Sequence, residues 1–268
     1  MQKTRNQHTA EFMYQALALL LALIVVHATY TALIRPKAEV DHIAFVQAQA
    51  EDPNAPMQRS VFIVLKDYEQ ESCFILMLWA MAIMGYKAKR LLAERNLLEQ
   101  ILVNTSEGER ILPEDVPRFS RPIQALTDIE QQSLLPRALL AALQRFGATE
   151  NIQDVSHAVE SVCEAESNRL ESELSMVRYI AWAIPSIGFI GTVRGIGQAL
   201  SQAHLAVQGD IASVTASLGV AFNSTFIALL ISIILMFLMH QLQLLQDRLV
   251  LDVHGYCDQR LIRNLRSA

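Results

Sequence analysis

Two stretches of this 268-residue chain place small and hydroxyl-bearing residues at helical spacing. In the first, Ala181, Pro185, Gly188, Thr192, Gly195 and Ala199 follow one another at intervals of 4, 3, 4, 3 and 4. That is one side of a helix. Gly191 and Gly195 add a GxxxG pair. In the second, Ser217, Ala221, Thr225, Ala228 and Ser232 fall at intervals of 4, 4, 3 and 4, with Asn223 and Ser224 beside them. Small residues let helix backbones approach closely in lipid, where no hydrophobic force drives helices together. Hydroxyls both donate and accept, so a line of them also suits a hydrated route for a proton or small cation. Tight packing and a polar lining are both open readings, and one pair of helices can satisfy both.

The elements that carry these residues are apolar enough to need lipid. The composition is 52% hydrophobic and only 18% charged, with a formal net charge of −5. That excludes a disordered chain and leaves no basic excess for binding nucleic acid. Three scattered cysteines, Cys73, Cys163 and Cys257, make neither a disulfide framework nor a CxxC pair. A helix needs about 20 apolar residues to cross a bilayer. Residues 12–34 and 211–239 hold no Asp, Glu, Lys or Arg, and residues 179–203 hold one charge, Arg194. Residues 72–86 are a shorter fourth span, followed by Lys87, Lys89 and Arg90, whose stems can snorkel to headgroups. The fold class expected is all-α: a polytopic membrane protein with four transmembrane helices and long cytoplasmic helical extensions.

Four spans put residues 1–11, 87–178 and 240–268 on one side, with 17 Lys and Arg. Residues 35–71 and the turn 204–210 lie on the other side, with four basic residues. The positive-inside rule then makes both termini and the 87–178 domain cytoplasmic and 35–71 periplasmic. Within 35–71, Glu51-Asp52-Pro53-Asn54 marks a polar loop and Val61–Leu65 a short apolar run at the membrane surface. In the cytoplasmic part, helices are expected over 88–103, over 124–146 around Pro136, and from an N-cap at Thr149 through Arg178 into the third span. Pro113, Pro117 and Pro122 mark a loop. Residues 241–268 read as a helix, and Glu160, Glu164, Glu166, Glu171 and Glu173 with Arg169 and Arg178 as a solvated helix face. His27 is a lone histidine in the first span, read as hydrogen-bonded and structural. No Walker A loop, GxSxG, nucleophile–base pair or metal face appears, so no enzyme, cofactor or metal site is expected.

The run Ile184-Pro185-Ser186-Ile187-Gly188-Phe189-Ile190-Gly191-Thr192-Val193-Arg194-Gly195-Ile196 resembles the second-to-last span of the MotA/TolQ/ExbB proton-channel family. That span reads roughly (A/I)P-x-(L/I)G-(L/F)-(L/I)-GTV-x-G(I/M). LGVAFNSTFIALLIS, starting at Leu218, resembles the family's last span, with Thr225 at its pore threonine. The order of parts fits too, and four spans match the flagellar stator branch. The resemblance implies an inner-membrane energy transducer: a pentameric ring around a single-span ExbD/TolR/MotB-like partner whose membrane Asp carries the ion. Thr192, Thr225 and Ser224 would lie on the ion pathway, with H+ as the ion and Na+ as second choice. Pro185, Gly188, Gly191, Gly195, Ala199, Ser217, Ala221 and Ala228 would form the packing and pore face. Two departures stand out. Val220 sits where the TolQ/ExbB branch often has an acid, and Arg194 follows GTV where an aromatic or aliphatic residue is usual. An uncompensated charge there costs at least about 2.5–3.5 kcal/mol, so Arg194 either snorkels to an interface or tunes the partner's carboxylate. A membrane sensor or scaffold and a self-contained channel are the other functions the sequence leaves open.

Overall fold

The computed structural model describes residues 2–51, 60–100, 102, 103, 110–207 and 211–266, and every regular element among them is helical. The polar loop expected at 52–54 lies outside the described residues. In chain order the α-helices are α1 (Gln2–Thr29), α2 (Arg35–Glu51), α3 (Val61–Leu65), α4 (Tyr68–Leu98), α5 (Val116–Gln124), α6 (Leu134–Thr149), α7 (Ile152–Glu173), α8 (Ser175–Ser201), α9 (Ala203–Val207) and α10 (Ala212–Tyr256). Four stretches are long and apolar enough to cross a membrane: Thr9–Ala44, Tyr68–Leu98, Ile152–Ser201 and Ser213–Asn264. The short apolar run at 72–86 is the middle of a 31-residue helix.

The chain divides into two compact units, Met1–Met84 with Met176–Met239, and Gly85–Ser175 with His240–Ala268. In the first, α1 passes into α2 through one wide turn. Pro36 has no N–H to give to the preceding turn, and Tyr30–Ile34 take π geometry, with the Arg35 N–H bonding the Tyr30 carbonyl. Residues 35–51 are therefore helical. α3 starts at Ser60, whose Oγ accepts from the Phe62 N–H at 3.2 Å, an ordinary N-cap bond. The α1 and α4 helices meet through polar contacts: Trp79 Nε1 donates to the Gln15 carbonyl at 3.0 Å.

The second unit has a conventional aliphatic core. On α6, Leu134, Leu135, Ala138, Leu139, Ala142, Leu143 and Phe146 are all buried, a continuous apolar stripe at helical period. α6 packs against α7 and α5, and Val155, Val159 and Cys163 of α7 are buried, as are Ile123, Ile111, Val253 and Leu265. Several expectations are corrected here. Pro117 lies in the first turn of α5 and Pro113 opens a 3-10 turn, where Pro loses no bond; Pro122 lies further inside α5, near its end, so three prolines do not make a loop. The N-cap of α7 is Asn151, whose side chain accepts from the Gln153 N–H at 2.9 Å. Thr149 instead ends α6, and Glu150 follows it in the left-handed conformation at φ 53°. The α4 helix ends at Leu98 rather than running to Val103. The α7 helix stops at Leu174 before α8 begins. Beyond Tyr256 the C-terminal segment changes to π and 3-10 turns.

Glu166 is also corrected. It is 2% exposed, not part of a solvated face. Its carboxylate accepts from Arg137 Nη1 at 2.9 Å and from Arg169 Nε at 3.1 Å. Two guanidinium groups meet one buried carboxylate, so its acceptor sites are filled, as burial of a charge requires.

Candidate functional site

The small faces of α8 and α10 lie against each other. A methyl group placed on Gly188 would stand 2.5 Å from Ala228 Cβ, and one on Gly195 would stand 2.7 Å from the Ala221 backbone nitrogen. Neither fits, so backbone meets side chain at both glycines because a Cβ is missing. Gly191 is equally filled: its methyl would be 2.5 Å from Ser224 Cβ. Gly188, Gly191, Gly195, Ala199, Ser217, Ala221 and Ala228 are buried. Pro185 is half-buried within α8.

Pro185 creates a vacancy in the backbone, since it has no N–H for the carbonyl four residues earlier. That carbonyl belongs to Ala181, and Ser232 Oγ on α10 donates to it at 3.0 Å. The serine spacing on α10 thus completes a hydrogen bond that proline removes from α8. Further along the seam, Ser217 Oγ donates to Gln202 Oε1 at 2.8 Å.

Thr192 and Thr225 meet at the centre of this seam. Their hydroxyls are hydrogen-bonded to each other. Thr192 Oγ1 also lies 3.2 Å from the Ala221 carbonyl and 3.4 Å from its own helix's Gly188 carbonyl. Thr225 Oγ1 lies 3.1 Å from the same Gly188 carbonyl. Two hydroxyls and two carbonyls from two helices therefore converge, each hydroxyl able to turn its proton toward either neighbour. Ser224 is 1% exposed and its Oγ has no hydrogen-bond partner among the described residues. A buried hydroxyl without a partner calls for a water or an ion.

Arg194 has its counter-charge within the chain. Its Nη2 donates to Glu69 Oε2 at 2.8 Å and lies 3.7 Å from Asp67 Oδ1. Burial pushes the Asp67 carboxyl above its usual range, against the pull of Arg194. One turn along, Glu71 binds Arg35 and also takes His27 Nδ1 at 2.7 Å. His27 is thus hydrogen-bonded to an acid of α4. The acids at 67, 69 and 71 were not singled out from the sequence. The signal was present: three acids at the entry of a span, and in another span a lone arginine that must be compensated.

Residues 130–254 match the model of the MotA/TolQ/ExbB proton channel family. No curated protein and no solved structure matches the chain. The matched stretch contains both threonines, the glycine face of α8 and the Pro185–Ser232 link. The family is one of proton channels rather than of enzymes. Over those residues the chain is similar to the proton channels of this family, and four of its helices are long and apolar enough to cross a membrane.

Proposed function

We propose that this chain, which carries a MotA/TolQ/ExbB proton channel domain over residues 130–254, forms a homo-oligomeric ring in a bacterial inner membrane around a single-span ExbD/TolR/MotB-like partner. The ring is a pentamer with both termini of each copy in the cytoplasm. The partner's membrane Asp carries the ion, and passage of that ion drives mechanical work by the partner. The ion is H+, with Na+ the second choice. No cofactor or metal takes part.

The observation that carries this reading is the meeting of Thr192 and Thr225 hydroxyls over the Gly188 and Ala221 carbonyls. In a low-dielectric site a carboxylate can lose or gain its proton only beside groups that solvate both forms. A threonine hydroxyl donates to the charged form and accepts from the neutral one. Residues 179–203 and 211–239 hold no Asp or Glu, which suits a carboxylate brought by another chain. Glycines hold the two helices close enough that the hydroxyl pair has a fixed position.

The reading is tested by mild-detergent isolation of the chain from native membranes, with stoichiometry by native mass spectrometry. Five copies holding two copies of a single-span protein with a membrane Asp is the expected result. A ring or dimer without such a partner overturns the stator mechanism and favours the sensor or the self-contained channel.

A further inference from the structure

The Glu69–Arg194 pair stands between two features that a simple structural ion pair does not explain. On one side, Arg194 and Asp67 line an open cavity of about 370 Å³ together with Arg35, Lys66 and Tyr68. On the other side is the unpartnered Ser224 hydroxyl, next in sequence to Thr225. Glu69 reaches toward it across a glycine. A methyl group on Gly191 would lie 3.2 Å from Glu69 Cγ and 2.7 Å from Ser224 Oγ. The missing Cβ of Gly191 therefore lets the Glu69 side-chain methylene and the Ser224 hydroxyl approach the same point, while the Glu69 carboxylate bonds Arg194. Arg194 from α8 faces Glu69, with Asp67 just before α4 beside the same guanidinium. Glu71, Arg35 and His27 form the adjoining network.

We propose that Glu69 is a relay carboxylate through which the transported proton passes between the charged cavity and the Thr192–Thr225 seam, with Arg194 as its positioning counter-charge. This rests on the proton-channel reading above. A proton from cavity water binds a Glu69 oxygen, and the bond to Arg194 loosens as the carboxylate charge disappears. The acid then gives that proton to water held at Ser224 Oγ, and the carboxylate returns to Arg194. One proton enters and one leaves, and only O–H bonds form and break. The same geometry accounts for an arginine inside a span: it gives the carboxylate the partner it returns to after each transfer.

The test is proton uptake by membrane vesicles holding the full chain with its native partner, followed by a pH-sensitive dye. Glu69→Gln is expected to lower uptake about 100-fold, the lower end of what a positioned proton-transfer group contributes. Glu69→Asp should retain most uptake, and so should Arg194→Lys. The Glu69→Gln/Arg194→Gln double variant removes both charges and leaves neither unpaired. It should remain assembled and still fail to take up protons; uptake at the wild-type rate would reduce the pair to a structural bridge and overturn the relay. Thr192→Val in the same vesicles separates the two readings. If it abolishes uptake while Glu69→Gln does not, the relay alone fails; if neither variant matters, the channel reading fails with it.

Discussion

The two units of this chain solve the packing problem in opposite ways. In the unit of Gly85–Ser175 with His240–Ala268, large side chains fill the interior: Leu139, Leu143 and Phe146 are fully buried. In the unit of Met1–Met84 with Met176–Met239, the middle of the α8–α10 seam is glycine, alanine and serine; Ile180, Ile184 and Leu235 are buried, but many other large residues point away. Trp182, Phe189, Phe222, Phe226 and Phe237 are all exposed in the single chain. The difference follows from the solvent. Water drives large apolar groups inward, whereas lipid tails give them no reason to move. Close backbone contact, hydroxyl–carbonyl bonds and ion pairs are what remain to hold helices together there. The hydroxyls placed for packing also form a polar line between two apolar helices.

Substitutions of opposite kinds should therefore damage the two units. The largest effect is expected from emptying the aliphatic core. Phe146→Ala should cost about 3–5 kcal/mol, as for other buried Phe truncations, measured as a lowered thermal unfolding midpoint of the purified chain. The seam should instead be harmed by enlargement. Gly195→Ala adds one methyl against the Ala221 nitrogen and the Ser217 carbonyl, both under 3.0 Å away, and should cost about 1–3 kcal/mol as overpacking does. Gly197→Ala is the matched control, two residues away with nothing within 4 Å. It should be neutral or stabilising by about 0.5–1 kcal/mol, the helical advantage of Ala over Gly. Equal effects of the two substitutions would break the comparison.

The ionic groups sharpen it further. Glu166→Gln removes the carboxylate between Arg137 and Arg169 and should cost about 1–3 kcal/mol, the range for losing a charge-assisted bond. The arginines are about 40% exposed, so water partly replaces the lost partner and the low end of that range applies. The smallest effect should come from Asp67. Its carboxyl is raised by burial, so the folded chain holds its proton to higher pH than the unfolded chain does. Stability therefore falls as pH rises from the ordinary Asp value of about 4 through the raised one. Asp67→Asn should flatten that decline, seen by comparing unfolding midpoints of the two proteins across the acid range.

Much of this was legible because periodicity survives folding. The small faces of α8 and α10 could be listed from spacing alone, and Gly188, Gly191 and Gly195 of one lie against Ala228, Ser224 and Ala221 of the other. The helical class followed from composition and from apolar runs of bilayer length. What escaped were features set by tertiary partners. Glu166 looks like any exposed helix acid until Arg137 arrives from α6. Glu69 lies 125 positions from Arg194, and no local pattern links them. The prolines misled for a different reason: Pro113 and Pro117 sit at helix starts, whose early N–H groups need no partner within the helix. The Pro185–Ser232 link was half visible, as a proline in a span with a serine on the facing helix. The missing half was which carbonyl the proline had freed.

The central claim is that the hydroxyl pair of Thr192 and Thr225 lies on the route of the ion. It is tested most directly by proton uptake through the intact complex carrying Thr192→Val and Thr225→Val together. Valine keeps the shape of threonine and removes only the hydroxyl, and each lost bond should cost about 1 kcal/mol of stability. The account predicts a complex that assembles with wild-type stoichiometry and takes up no protons. Uptake at the wild-type rate by that assembled double variant would contradict it.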